Sequence, residues 1–230
     1  MFDTEILLQD TQEILGAVPV TLGMALTIFV LSTLVGSIFA LVEYRRVPVL
    51  RELIMAYKIV FKGVPMVIVI FLAYFGLPPA FQFLLSLLGV NFNAHETPNS
   101  VILVIAVTGC IAAFQSEIIK GALNAFDTGQ SDAAHSLGYT SGQLFRRILF
   151  PQVALTAIPD LTTSMMVIMK ALSLGFAIEV VDIFAQSQLT AALNYYYLEA
   201  FVIAVVIYMV IAYIVTQIAD RLEQALRVRT

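Results

Sequence analysis

Charge is what this chain has least of. Asp, Glu, Lys and Arg make up 12% of its 230 residues, against about 25% in an average soluble domain. Hydrophobic residues make up 60%, and the mean hydropathy is +0.93. That balance reads as a membrane protein and not as a soluble domain, and no nucleic-acid partner is expected. A single cysteine, Cys110, rules out an internal disulfide, and its apolar surroundings read as those of a small buried hydrophobe. There are two histidines, His95 and His135, and neither Cys-x-x-Cys nor His-Glu-x-x-His occurs. No metal site is expected, and both histidines read as solvated. No Gly-Lys dipeptide exists, so the chain has no Walker A phosphate cradle. It is not expected to be an enzyme, and any energy it uses must come from another chain or an ion gradient. The first residues carry Asp3, Glu5, Asp10 and Glu13 without Lys or Arg, the opposite of a secretory signal's basic start. With no long linker and no repeat, residues 1–230 read as one domain.

Long apolar runs fill the rest. A core about 30 Å thick needs about 20 helical residues. Five runs meet that length, at 14–42, 53–75, 99–125, 154–174 and 198–219. The fold class is therefore an all-α membrane protein with about five transmembrane helices. Phe176 to Phe184 is too short to cross and reads as a re-entrant or interfacial helix. Arg45, Arg46 and Arg51 separate spans one and two. Arg146 and Arg147 separate spans three and four, and Arg221, Arg227 and Arg229 follow span five. The N-terminal tail, Leu77 to Pro98 and Gly175 to Tyr197 have neither Lys nor Arg. The positive-inside rule then places the N-terminus outside and the C-terminus in the cytoplasm. Tyr195, Tyr196 and Tyr197 fall where an aromatic belt would mark the outer entrance to span five.

The polar stretch at about 127–151 lies between two such runs, on the cytoplasmic side. Asp127 or Thr128 can cap a short helix, with Gln130 placed to complete a capping box. Gly138 can end that helix in a left-handed conformation, and Ser141 can start a second one that stops near Pro151. The result is a two-helix elbow.

Gln130-x-Asp132-Ala133-Ala134-x-x-x-Gly138, with Leu149-Phe-Pro-Gln152 downstream, resembles the EAA loop of bacterial ABC importer permeases. Asp132 stands where that family usually has Glu. Lys62-Gly-Val-Pro-Met66 is similar to the Arg-Gly-Thr-Pro-Leu segment of the polar amino-acid subfamily, and Tyr74-Phe-Gly-Leu-Pro78 follows in place. Ala113 to Ala122 resembles the segment leading into the loop, and Lys170-Ala-Leu-Ser-Leu174 resembles Lys-Asp-Thr-Ser-Leu. The family commonly has Asn near Thr163 and Asp at Ala171, and this chain departs from both. The resemblance covers roughly residues 17 to 225. It implies a type I ABC importer permease of the histidine, glutamine and arginine type, in a bacterial inner membrane. Gln130, Asp132, Ala133, Ala134 and Gly138 would couple to the ATPase. The implied partners are two ATPase subunits, which would hold the ATP and Mg, a second identical or similar permease, and an extracytoplasmic substrate-binding protein.

Charged and polar residues inside spans are costly and usually face the bundle interior. Lys58, Lys62, Glu117 and Lys170 stand out. Lys58 and Lys62 lie one turn apart, where they can reach inward or snorkel. Pro65 should kink span two, so Lys62, Gly63 and Pro65 are gate or hinge candidates. Glu117 either faces a cavity or pairs with Lys120, Lys58 or Lys62. Gln115 either lines a cavity or bonds between helices. Pro159, Thr163, Met166, Lys170 and Ser173 recur at helical spacing on one stripe of span four. Lys170 either meets a substrate carboxylate or pairs with Glu117 or Glu179. The substrate-binding candidates are thus Gln115, Glu117, Thr163, Met166, Lys170 and Ser173. The expected function is a permease subunit of an ATP-driven polar amino-acid importer, forming its pathway as a dimer. An ion-coupled secondary transporter and a non-transporting membrane scaffold are the alternatives.

Overall fold

The computed structural model describes residues 4–91, 93 and 96–227, except for the side chains of residues 4–7 and Thr128. Asp3, His95, Arg229 and the side chains of Glu5 and Thr128 lie outside the described residues. Among the described residues every regular element is helical. The order is α1 (Thr4–Gly16), α2 (Val18–Tyr44), α3 (Leu50–Gly63), α4 (Met66–Leu87), α5 (Asn99–Asn124), α6 (Thr128–Ser136), α7 (Ser141–Leu144), α8 (Phe150–Leu172), α9 (Ile183–Asn194) and α10 (Tyr197–Arg227). A π turn at Phe145–Leu149 joins α7 to α8, and a 3-10 turn at Ser173–Ile178 follows α8.

Five of these helical stretches are long and apolar enough to cross a membrane. They are Leu8–Tyr44, Met66–Leu87, Asn99–Asn124, Ser141–Ile178 and Tyr197–Arg227. Spans one, three, four and five fall where the apolar runs put them. Span two does not. The chain stops being helical between Gly63 and Met66, so the crossing helix is α4 and not residues 53–75. Val64 is extended, with φ −89° and ψ 133°, because the ring of Pro65 bars the α region to the residue before it. Pro65 also lacks the N–H that a continuing helix would use. The expected kink is therefore a break. It leaves α3 as a separate helix of 14 residues, about 21 Å long at 1.5 Å per residue and too short to cross.

The elbow's second helix also runs on. Pro151 sits in the first turn of α8. The π turn before it closes with the Phe150 N–H donating to the Phe145 carbonyl. That wider turn absorbs the missing donor, so the helix passes through Pro151 instead of stopping there. The short helix expected over 176–184 lies later, as α9, capped by Asp182, which accepts from the Ala185 N–H at 2.8 Å.

The core is built around α5. Ile102, Leu103, Ala106, Val107, Cys110, Ile111 and Ala113 are buried on it. Small residues set its distance from α2. A Cβ on Gly36 would lie 3.0 Å from the Ser116 backbone nitrogen and 3.2 Å from the Ala112 carbonyl, so any larger residue would push the two helices apart by a few tenths of an ångström. By contrast α4 buries only Ile70 among its 22 residues, and its other apolar side chains suit lipid. Asp10 of α1 accepts from Asn194 at 3.0 Å, and Glu13 accepts from Thr190 at 3.0 Å. Those bonds hold α1 against α9.

Candidate functional site

The elbow is defined at both ends by local chemistry. Asp127 caps α6 by accepting from the Gly129 N–H at 2.8 Å. Gly138 has φ +81°. Around it the Gly138 N–H donates to His135 and the Tyr139 N–H donates to Ala134, the paired closure of a Schellman motif. The capping box expected of Asp127 and Gln130 is absent. Thr140 and Gln143 form one instead at the start of α7, with bonds of 2.9 and 3.3 Å. Gln130 is freed for a longer reach. Gln152 Nε2 donates to its Oε1 at 2.8 Å, tying α6 to the first turn of α8. Asp132, Ala133 and Leu137 are exposed while Ala134 is buried. The elbow thus shows a small-residue and carboxylate face to whatever lies beyond it.

The same α8 carries the polar stripe. Pro159, Thr163 and Lys170 are exposed, and Met166 and Ser173 are half-buried. Both hydroxyls turn back on their own helix, Thr163 to the Pro159 carbonyl and Ser173 to the Lys170 carbonyl. Met166, Met169, Lys170 and Ser173 line one cavity of about 410 Å³, with Phe184 of α9 and Tyr208 of α10. Its walls are apolar apart from these few groups. Lys170 has no ion pair among the described residues, so neither expected pairing, with Glu117 or with Glu179, is formed. Asp182 is fully buried behind the cavity and accepts from the Tyr208 hydroxyl at 3.0 Å. Burial holds its carboxyl above the ordinary aspartate range.

Thr163 faces a second hollow of about 310 Å³, shared with Asp160 and Ser164. Asp160 was missed in the sequence, although a lone carboxylate inside an apolar run is a signal that intramembrane charge alone could have raised. It is exposed and falls on the same stripe as Thr163, Val167 and Lys170. Ten residues separate Asp160 from Lys170, about 15 Å along the helix.

The remaining candidates lie apart from this stripe. Gln115 is fully buried. It accepts from Thr33 of α2 at 3.2 Å and donates to Ser164 of α8 at 3.0 Å. It joins three helices and lines no open cavity. Glu117 accepts an ion pair from Lys62 at 2.9 Å and another from Lys58 at 3.6 Å. Lys58 does not snorkel. It is buried and bonded to Glu43, which Lys120 also reaches at 3.4 Å. Glu43 was missed because it ends a long apolar run. Lys62 also stands 5.5 Å above the Phe114 ring. Gly63 and Pro65 mark the break between α3 and α4.

Residues 32–228 match the family described as binding-protein-dependent transport system inner membrane component. The probable amino-acid permease protein YxeN of Bacillus subtilis is 32% identical over 227 residues, which cover 97% of this chain and 96% of that protein. The histidine/lysine/arginine/ornithine transport system permease protein HisQ of Salmonella typhimurium is 30% identical, covering 83% of this chain and 81% of that protein. A crystal structure of an amino acid ABC transporter with histidines superimposes with a TM-score of 0.79 at 24% identity, over 98% of this chain and 99% of that one. That likeness is one of fold.

The ion network gives a direct test. Lys58→Met leaves the buried Glu43 carboxylate with Lys120 alone, and should cost about 3 kcal/mol of stability. Adding Glu43→Gln should recover most of the loss. Thermal unfolding of the purified chain in detergent reads both; an unchanged single variant would show that the pair holds nothing.

Proposed function

Because this chain belongs to the family of binding-protein-dependent transport system inner membrane components, and within it to the permeases of amino-acid ABC importers, we propose that it works as one half of a dimeric pathway driven by separate ATPase subunits. The observation that carries the reading is the bond that Gln152 donates to Gln130. It links the exposed elbow directly to the helix that bears Asp160, Thr163 and Lys170. A push on α6 reaches α8 through this bond and through the tight turn at Gly138, beyond which α7, the π turn and α8 form one helical run.

An exposed carboxylate and an exposed ammonium on one membrane helix are costly against lipid. They suit a face that lines water shared with a second permease. In such a pathway Lys170 meets the carboxylate of an amino acid through a charge-assisted hydrogen bond. Met166, Met169 and Phe184 would contact the apolar parts of the substrate and keep the site dry. Asp160, about three turns away along the helix, would meet positive charge. A substrate-binding protein delivers the amino acid from outside, where the N-terminus lies, and the ATPases dock on the elbow at the cytoplasmic face. ATP and Mg belong to those subunits. Their closure moves the two elbows and swings the paired α8 helices between inward-facing and outward-facing arrangements.

The elbow is tested by Gly138→Val. A β-branched residue is strongly disfavoured at φ +81°. The variant complex should insert and keep basal ATP hydrolysis, while substrate-stimulated hydrolysis falls about tenfold. Normal stimulation would rule the elbow out as the coupling element. The pathway is tested by Lys170→Met. No ion pair within the described residues is lost, so the complex should assemble and hydrolyse ATP, while amino-acid uptake into proteoliposomes drops about tenfold or more. Uptake at the parent rate would remove Lys170 from the pathway.

A further inference from the structure

A second charged hollow lies away from the α8 stripe, where α2 hands over to α3 and α3 packs on α5. It has a volume of about 390 Å³ and is lined by Glu43, Met55, Lys58, Ile59, Lys62, Glu117 and Lys120. Three ammonium groups face two carboxylates. Both carboxylates are already engaged, Glu43 by Lys58 and Lys120, and Glu117 by Lys62 and Lys58. The hollow is therefore complete for cations and short of an anion. Each ammonium has three donors. Lys62 and Lys120 each spend one on a carboxylate and are about one-third exposed, at 32% and 36% of their side chains.

The surroundings strengthen the bias. Arg45, Arg46 and Arg51 are exposed at the α2–α3 hand-over, with Glu52 the nearby carboxylate in sequence. Arg51, Met55, Lys58 and Lys62 follow each other at spacings of four, three and four, which puts them along one face of α3. The rim on that face is apolar, for Ile59 is 72% exposed and Met55 36%. A basic hollow with a greasy rim, beside membrane-crossing helices, fits an ion carrying hydrocarbon better than a free ion. We propose that this hollow binds the phosphate of an anionic phospholipid, with Lys62 and Lys120 on its oxygens, Arg51 at the approach, and the acyl chains along Met55 and Ile59. Basic pockets between membrane helices take such headgroups, and each nearby Lys or Arg adds about fivefold to the affinity. The bound lipid bridges α3 to α5, and so steadies a helix that does not itself cross the membrane.

The inference does not depend on the importer reading, and its test does not measure transport. The chain, purified with its native partner subunits, is exposed to detergent micelles containing either phosphatidylglycerol or phosphatidylcholine with matched acyl chains. Retained lipid is counted by native mass spectrometry. Phosphatidylglycerol should be retained and phosphatidylcholine not. Lys120→Gln and Arg51→Gln should each lower phosphatidylglycerol retention about fivefold. Arg51→Gln guards against misfolding, since no side-chain bond of Arg51 within the described residues is lost. Excess inorganic phosphate should leave the lipid in place. Equal retention of the two lipids, retention unchanged in both variants, or displacement by inorganic phosphate would each overturn the proposal.

Discussion

Hydrocarbon offers a polar group no partner, and that constraint explains most of what this chain does with its few polar residues. Each unsatisfied group in the bilayer core costs several kcal/mol. The hydroxyls of Thr27, Ser37, Thr162, Thr163 and Thr216 all donate to carbonyls one turn back on their own helices. Gln115 satisfies its amide between α2 and α8. Glu43, Lys58, Lys62, Glu117 and Lys120 pair with one another, with one ammonium in excess. Against that background, Asp160 and Lys170 are conspicuous. They are exposed on a membrane helix with no ion pair among the described residues, and their satisfaction has to come from water, substrate or a second subunit.

The same economy shapes the mechanics. α8 is the element on which the elbow, the stripe and the core meet. Its start is bonded to α6 through Gln152, and its middle is bonded to α5 through Ser164. Its far end closes over the cavity that holds Lys170. It also has built-in give. The π turn at Phe145–Leu149 and Pro159 inside the helix each remove a regular backbone bond. A rigid α5, sealed to α2 by the close approach at Gly36, supplies the frame against which α8 can move.

Much of this was legible in the residues, and the losses have physical causes. α5 and α10 were readable because each is an uninterrupted apolar run of membrane length. The glycine hinge of the elbow was readable because its backbone needs a positive φ that few other residues tolerate. Span two was misplaced because hydropathy sees no break between Leu53 and Phe75. The break is set by the backbone of Val64 ahead of Pro65, which has no apolar signature. α9 was placed too early because its position depends on Asp182 as a cap, and an aspartate between two apolar segments reads equally as a loop. Glu43 and Asp160 were passed over because a single carboxylate is averaged away in a long apolar window. That Lys170 forms no ion pair among the described residues could be seen only once Glu117 was found already engaged by two lysines.

The central claim is that α6 is the surface through which another protein drives α8. Leu137 is the sharpest probe of it, a large apolar side chain 79% exposed at the end of α6. A photo-cross-linking amino acid placed at Leu137 in intact cells should capture a nucleotide-binding ATPase subunit, while the same probe at Leu88, 76% exposed beyond α4, should not. Capture of the ATPase from residue 88, or of no ATPase from residue 137, would contradict the assignment of the elbow and the orientation of the chain with it.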